Sequence, residues 1–212
     1  MVAAAYLALI GDVVGSRLVD DRPHLQSALT SAMESINPRY GKAIAAGFTL
    51  TVGDEFQGLL AEPAPLVELL AQLRADVHPV ELRFGLGVGP LSTPLQPVAL
   101  GMDGPCFHRA RQAVERAEAN GTPVEVEPAS AASTIYSLLS AALRRRWTVR
   151  QRQVHDLAAS GLAGKQIAAQ LGITASAVSQ HLQAADRDSL AQAEAAWLAS
   201  VAELLASEKG PA

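Results

Sequence analysis

Two apolar runs in the first quarter of the chain each end in an acidic turn. The first run, residues 5–10, is closed by Gly-Asp, and the second, residues 48–52, is closed by Gly-Asp-Glu. A continuous apolar run of this length is typical of a strand that is covered on both faces. Residues 56–60 form a further apolar run directly after the second turn, so residues 48–60 have the length and composition of a β-hairpin.

The order of the remaining segments indicates the fold class. Apolar spacing predicts three helices and one further strand in the first 128 residues: helices over about 23–36, 64–77 and 106–120, and a strand over 80–88. The order β-α-β-β-α-β followed by α is that of an α+β, ferredoxin-like or palm domain over residues 1–128. In this topology the third strand lies between the first two, which brings Asp12 beside Asp54.

The acidic turns are candidates for a metal site. Asp12, Asp54 and Glu55 would repel one another at one edge of the sheet unless a cation neutralised them, and hard oxygen ligands select Mg²⁺ or Mn²⁺. Such a site can hold the phosphates of a nucleotide. The alternative is that both segments are ordinary turns, because Asp and Gly dominate turns on conformational grounds.

Composition limits the class of protein. With 212 residues, of which 49% are hydrophobic and 18% charged, the chain is long enough for one medium domain and one small domain and is too apolar to be disordered. The N-terminal segment lacks a basic region and a cleavage site, and Cys106 is the only cysteine. We therefore expect a cytoplasmic protein with no membrane association.

Charge is distributed unevenly along the chain. Residues 1–143 carry a net charge of -6, whereas residues 144–187 carry +5. This contrast indicates a basic module, which we assign to an all-α helix-turn-helix domain over 148–187. Apolar residues at helical spacing predict a connecting helix over 129–147 before it. Ala168 is small where two helices would cross, and Gly172 can adopt the positive φ that the turn requires.

The basic module is predicted to bind double-stranded DNA. The side chains predicted to face the bases are Ser176, Ser179, Gln180 and Gln183, and those predicted to lie near phosphates are Arg150, Arg152, Lys165 and Thr174. A helical hairpin used only for protein contacts is the alternative. Because such domains usually read two half-sites, we expect a homodimer. The apolar stripe of the C-terminal helix, residues 188–212, could form the dimer contact or fold back on its own domain.

Several segments resemble nucleotide cyclases. Residues 52–56 resemble the signature hairpin of diguanylate cyclases, and residues 10–16 resemble the metal-binding strand end of class III nucleotide cyclases. Residues 84–90 and 104–111 fall where cyclases place a core strand and a helix that carries Asn and Arg. The resemblance implies a nucleotide or phosphate site with four candidate residues: Arg17, Gly104, Arg109 and Arg111. No Asn precedes the Arg, since this chain has Phe107 or His108 there.

Three segments in the same order resemble the SatD family of small bacterial proteins: residues 10–17, 51–58 and 101–105. That resemblance implies a cytoplasmic protein without pointing to a particular reaction. Residues 148–187 resemble the helix-turn-helix domains of LuxR-type proteins and of sigma-factor region 4. The glycines of residues 101–105 suit either an anion site at a helix start or a plain loop.

Two functional hypotheses follow. The first is a DNA-binding transcriptional regulator whose palm-like domain binds a nucleotide or a divalent metal, or serves as a scaffold. The second is a nucleotide cyclase-like or other metal-dependent nucleotide-processing enzyme that has an accessory helix-turn-helix.

Overall fold

The computed structural model describes residues 4–16 and 20–209 and contains five strands and eight helices in that part of the chain. They are β1 Ala5–Val13, α1 Arg22–Arg39, β2 Ile44–Leu50, β3 Phe56–Leu60, α2 Leu66–Asp76, β4 Leu82–Pro90, α3 Pro105–Asn120, β5 Val124–Glu127, α4 Ala131–Arg146, α5 Val149–Ala159, α6 Gly164–Leu171, α7 Ala175–Ala184 and α8 Arg187–Lys209. The predicted α+β order is confirmed, and β5 is an element that the sequence reasoning missed. Across these described segments, no helix combines the length and hydrophobicity that crossing a bilayer requires.

The sheet has the order β2-β3-β1-β4-β5. Strand β1 is antiparallel to both neighbours, with Gly11 opposite Phe56 on β3 and opposite Phe84 on β4. Strand β5 extends the four-stranded ferredoxin-like core by pairing parallel to β4. The third strand therefore lies between the first two, as predicted, and Asp12 lies at the same end of the sheet as the turn between β2 and β3.

The two faces of the sheet are covered differently. One face carries the large core, which includes Leu7, Leu9 and Phe84 and packs against α1, α2, α4 and α8. The other face packs against α3 and contains Ala8 and Ile10. Helix α3 approaches β4 very closely, since a Cβ atom at Gly87 would lie 2.0 Å from the carbonyl oxygen of Cys106. Glycine is thus required there for the helix to reach the sheet.

The exposed edge of β2 is capped by a side chain. The Asn37 carboxamide on α1 accepts a hydrogen bond from Phe48 N at 2.7 Å and donates one to Phe48 O at 2.9 Å. Further along the same edge, Gly47 N donates to Pro97 O at 2.9 Å. These contacts satisfy backbone groups that an open edge would offer to another strand.

Helices α5, α6 and α7 pack around a small core of their own, formed by Val154, Leu157, Ile167, Ala168 and Val178. Helix α5 also packs against α2 of the palm domain. Thr148 and Thr174 cap α5 and α7, because their hydroxyls accept hydrogen bonds from backbone N–H groups in the first turn of each helix.

Helix α8 takes the second of its two predicted alternatives and folds back on the palm domain. Its apolar stripe is buried in the large core, where Trp197 stacks on Tyr136 of α4 with ring centroids 4.5 Å apart. The stripe members Leu190, Val201 and Leu205 are also buried. In this structure of a single chain, the stripe is therefore not exposed for a dimer contact.

Candidate functional site

Asp12 is neutralised by an arginine on the neighbouring strand. It pairs across the sheet with Arg83, whose Nε atom lies 3.2 Å from Asp12 Oδ2, and Arg83 also lies 3.1 Å from Glu118. The Nε–Oδ2 contact is an ion pair without the angle of a hydrogen bond. Burial raises the pKa of Asp12 above its ordinary value, the Arg83 charge opposes this rise, and nearby carboxylates add to it: Asp54, Glu118 and Glu55.

Glu55 is held in a two-pronged ion pair. Both of its carboxylate oxygens accept hydrogen bonds from the Arg111 guanidinium, one of them at 2.6 Å, and Thr51 Oγ1 donates to the same carboxylate at 3.1 Å. The hydrogen bonds that Arg111 donates to Glu55 raise the pKa of Arg111, so this arginine stays charged. A fork-shaped guanidinium already bound to a carboxylate has few donors left for a phosphate.

Asp54 differs from its two neighbours. Its Oδ2 atom is buried and has no hydrogen-bond partner among residues 4–16 and 20–209, although buried carboxylate oxygens normally have one. A cavity of about 20 Å³ beside it is lined by Ser16, Arg22 and Gly53 among others. Asp54 is thus the member of the predicted carboxylate set whose donor atom remains uncommitted.

The predicted set of three metal ligands is not assembled. In residues 4–16 and 20–209, no group of three or more His, Cys, Asp or Glu side chains is placed to hold a metal ion. Asp12 and Glu55 lie at the same end of the sheet as Asp54, but each is bound to an arginine. The expectation of a Mg²⁺ or Mn²⁺ centre built from all three is therefore corrected.

Of the four predicted phosphate contacts, the three that the structure describes do not converge. Arg17 lies outside the described residues. Arg109 donates to the carbonyl oxygen of Val88 and forms an ion pair with Glu208 of α8 at 2.6 Å. Arg111 also lies on α3, but it is bound to Glu55, which directly precedes β3.

A carboxylate already binds the backbone at the start of α3, beside Gly104. Asp103 Oδ1 accepts a hydrogen bond from Gly104 N at 2.8 Å and lies 3.0 Å from His108 Nε2. A phosphate at this helix start would be repelled by that carboxylate. The plain-loop alternative for residues 101–105 therefore accounts for these contacts.

The residues predicted to contact DNA are mostly open to solvent. Four polar side chains of α7 are exposed: Ser176, Ser179, Gln180 and Gln183. Three of the four predicted phosphate contacts are also exposed: Arg150, Lys165 and Thr174. Arg152 departs from the prediction, because its Nε atom lies 2.9 Å from Glu81 of the palm domain and its guanidinium donates to Arg144 O at 3.2 Å.

Sequence reasoning missed a buried ion pair where the palm domain meets α5. Arg144 donates two hydrogen bonds to Asp156, at 2.8 and 3.0 Å, and both side chains are nearly inaccessible to solvent. Burial alone would raise the pKa of Asp156, but the Arg144 charge and the hydrogen bonds from His155 and Arg144 hold that pKa well below its usual value. An acidic residue between Val154 and Leu157, both apolar, was the available signal.

Comparisons with known proteins place these features in context. The sequence model of the SatD family matches residues 6–189. No curated protein matches the sequence. The family match runs through the palm domain and through α5, α6 and α7, so both parts are included in it.

Solved structures with a similar fold include two nucleotide cyclases. One is a non-canonical dimeric guanylyl cyclase domain of the RhoGC fusion protein from the aquatic fungus Blastocladiella emersonii, which is 16% identical, covers 53% of this chain and 74% of its own, and has a TM-score of 0.37. The other is a bacterial light-regulated adenylyl cyclase, which is 12% identical, covers 68% of this chain and 81% of its own, and has a TM-score of 0.45.

Proposed function

The chain belongs to the SatD family, and we propose that it is a DNA-binding transcriptional regulator in which α6 and α7 act as a helix-turn-helix. We assign residues 1–128 to the palm domain, 129–147 to the connecting helix, 148–187 to the DNA-binding domain and 188–212 to the C-terminal helix. Helix α4 ends at Arg146 and Thr148 caps α5, which supports a boundary between them.

The turn between α6 and α7 supports this assignment. Gly172 ends α6 with φ 64°, a left-handed conformation that glycine adopts at little cost. Ile173 N then donates to Ala168 O at 3.0 Å, and Thr174 caps α7 by accepting a hydrogen bond from Ala177 N at 3.1 Å. The turn thus contains three residues, which is the usual length in DNA-binding helix-turn-helix domains.

The exposed face of α7 carries the proposal. Its serine and glutamine side chains, Ser176, Ser179, Gln180 and Gln183, are all open to solvent. Residues 157–185 contain no Asp or Glu at all, so no carboxylate on these helices would repel a phosphate backbone. Gln can bond an adenine edge through two hydrogen bonds, and Ser can bond most base edges.

Phosphate contacts would come from the rim of this face. Lys165 at the start of α6 and Thr174 at the start of α7 are exposed, as is Arg150 on α5. Such contacts supply affinity without base preference. We leave Arg152 out of this set because Glu81 holds it at the palm domain.

Fluorescence anisotropy with duplexes from the promoter region of its own gene, and with genomic fragments selected by binding, tests the proposal. Lys165→Ala should weaken binding to every duplex alike and reduce the salt slope by about one, whereas Gln180→Ala should relax base preference by about 1–3 kcal/mol. Lys42→Ala is the matched control, because Lys42 is an exposed lysine on the palm domain. Salt-independent binding, or equal effects of Lys42→Ala and Lys165→Ala, would overturn the proposal.

A second candidate function concerns the palm domain. The buried Oδ2 atom of Asp54 has no hydrogen-bond partner in the described part of the chain, so it could bind a divalent cation, and a cation held there could carry the phosphates of a nucleotide. Under this alternative the chain is a nucleotide cyclase-like or other nucleotide-processing enzyme, and the helix-turn-helix is accessory.

Turnover of nucleoside triphosphates with Mg²⁺ or Mn²⁺ separates the two functions. The enzyme alternative predicts turnover that Asp54→Asn abolishes and that Asp103→Asn, at the start of α3, leaves intact. Absence of turnover with all four triphosphates, together with salt-dependent DNA binding, would remove the enzyme alternative.

We also propose a homodimer that works in the cytoplasm. Because the stripe of α8 is buried, the contact would use another surface, and α4 exposes Ile135 and Leu138 at 64% and 58%. These residues are three apart and share one face of the helix. Light scattering of the purified protein should give twice the chain mass, and Leu138→Lys should reduce it to one chain.

A further inference from the structure

A cavity with a volume of about 450 Å³ lies where the palm domain meets helices α4 and α5. Its palm wall is formed by the start of β4, the end of α3 and the turn at residues 121–123, and its other wall by α4 and α5. Part of the lining is apolar: Leu82, Ala117, Pro123 and Ala141. The volume lies within the range of small-molecule sites, and an apolar wall with a few convergent charges is typical of them.

Four arginines and two glutamates line this cavity: Arg83, Arg144, Arg145, Arg152, Glu81 and Glu118. Three of the arginines form ion pairs with carboxylates. Arg83 is paired with Asp12 and Glu118. Arg144 is paired with Asp156 and Glu81, and Arg152 is paired with Glu81. Arg145 is exposed and makes no ion pair or side-chain hydrogen bond within the described part of the chain. Arg145 is therefore the arginine of this cavity whose guanidinium can bind an anion without first losing an ion pair.

Glu81 marks the position that an anion would occupy. Its carboxylate lies 2.9 Å from Arg152 Nε and 3.4 Å from an Arg144 guanidinium nitrogen, and its side chain is 39% exposed. A partly exposed ion pair of this kind is weak, because water competes for both partners. A phosphate carries more charge and more acceptor oxygens than a carboxylate, so it can displace Glu81 from Arg152.

We propose that this cavity binds a phosphate-bearing small molecule with an apolar or aromatic body, of the nucleotide class. The phosphate contacts Arg145 and Arg152 in place of Glu81, and the body rests against Leu82 and Pro123. Glu118 forms an ion pair with Arg83 at 3.1 Å, which limits its repulsion of the ligand. This site is separate from Asp54, which does not line the cavity.

Ligand binding would change the link between the two domains. Glu81 belongs to the palm domain and Arg152 to α5, the first helix of the DNA-binding domain, so their ion pair joins the two units. A ligand that removes this ion pair and inserts its own contacts alters how α5 is held, and thereby DNA affinity. This regulatory role rests on the proposed DNA binding, whereas the binding site itself does not.

Isothermal titration calorimetry of the full chain tests the site. The probes are ATP, GTP, ADP, GDP, cyclic AMP and cyclic GMP, with inorganic phosphate as an anion that lacks a body. EDTA is present throughout, so that cation-dependent binding near Asp54 is not measured. The variants are Arg145→Gln, Glu81→Gln and the matched control Arg146→Gln, whose arginine is also exposed but does not line the cavity.

The expected result is that at least one nucleotide binds, and more tightly than inorganic phosphate. Arg145→Gln should weaken this binding by about tenfold or more, because it removes a hydrogen bond to a charged group. Arg146→Gln should leave it unchanged. Glu81→Gln should increase the affinity for the nucleotide, because the competing carboxylate is gone. If Glu81 had only a structural role, this substitution would not increase the affinity.

Three results would overturn the site: no binding of any nucleotide, equal losses in Arg145→Gln and Arg146→Gln, or phosphate binding as tightly as the nucleotides. The regulatory role is tested afterwards by DNA anisotropy with and without the nucleotide that binds. If the nucleotide binds and DNA affinity does not change, the regulatory role is wrong and the site stands. If no DNA binds at all, the DNA-binding proposal fails and the calorimetric result is unaffected.

Discussion

The buried ion pair between Arg144 and Asp156 leads to a strong prediction about stability. In Asp156→Asn the side chain keeps its shape but loses its charge, and the Arg144 guanidinium stays buried at 8% exposure. Its remaining carboxylate contact is Glu81 at the longer distance of 3.4 Å. An uncompensated buried charge costs about 3–5 kcal/mol.

The stability lost in Asp156→Asn can be expressed as a decrease in the melting temperature. For a chain of about this length, each kcal/mol shifts the Tm by roughly 2–4 °C, so Asp156→Asn should lower it by about 6–20 °C. Arg152→Gln provides the contrast within the same cluster. Its ion pair with Glu81 is partly exposed, and such a pair contributes at most about 1 kcal/mol.

Urea and thermal unfolding followed by tryptophan fluorescence measure both variants. Trp147 lies next to the ion pair, with its ring 5.5 Å from the Arg144 guanidinium carbon, and therefore reports on this junction. A third variant, Arg144→Met with Asp156→Leu, should recover most of the lost stability, because an apolar pair of similar volume removes both desolvation costs. Equal losses in Asp156→Asn and Arg152→Gln, or no recovery in the double variant, would refute the reasoning.

The same ion pair predicts the direction of a pH effect. The folded-state pKa of Asp156 is held below its ordinary value despite burial, because Arg144 and His155 interact with the charged form. The stability from this group is therefore fully present above the unfolded-state pKa of about 3.9 and is lost as the pH falls below it. Asp156→Asn should lack this part of the acid sensitivity, which urea titrations at several pH values would measure.

The remaining predictions concern other parts of the chain. Gly87→Ala should destabilise the palm domain by about 3 kcal/mol or more in urea unfolding, because its Cβ would lie 2.0 Å from the Cys106 carbonyl oxygen; a loss below about 1 kcal/mol would contradict the close packing of α3. Burial raises the pKa of the Cys106 thiol to about 11, so the folded protein at pH 8 should react slowly with a thiol reagent and the urea-unfolded protein quickly; fast reaction of the folded form would contradict the burial. Thr174→Ala removes the hydrogen bond to Ala177 N and should cost about 1 kcal/mol of stability, and Thr174→Ser should restore it.

Much of the palm topology was predictable from local patterns. The apolar run of β1, the hairpin and the alternating β4 run gave the strand order, and the neighbouring positions of Asp12 and Asp54 followed from it. The turn signals were sufficient because glycine and aspartate determine local backbone conformation. Strand β5 was missed because four residues are too few for a periodicity to stand out.

The partners of the acidic residues were not predictable in the same way. Arg83 is opposite Asp12 only because β1 and β4 pair in one particular register, and a strand pattern does not reveal the register of its neighbour. Arg111 reaches Glu55 from a helix 56 residues further along the chain. Charge contacts over such separations depend on tertiary packing. The position of the carboxylates in the fold was therefore predicted correctly, but their ion pairs with arginines were not.

The position of α8 has a consequence for how the chain folds during synthesis. Trp197, Val201 and Leu205 complete the core that β1 begins, so the first strand and the most distant helix belong to one cooperative unit. A domain at the start of a chain usually folds while the ribosome is still translating the rest. Here the palm domain cannot complete its core until the residues beyond 190 have been made. A chain truncated after residue 187 should therefore keep α5, α6 and α7 packed around their own small core while its palm domain is sensitive to protease.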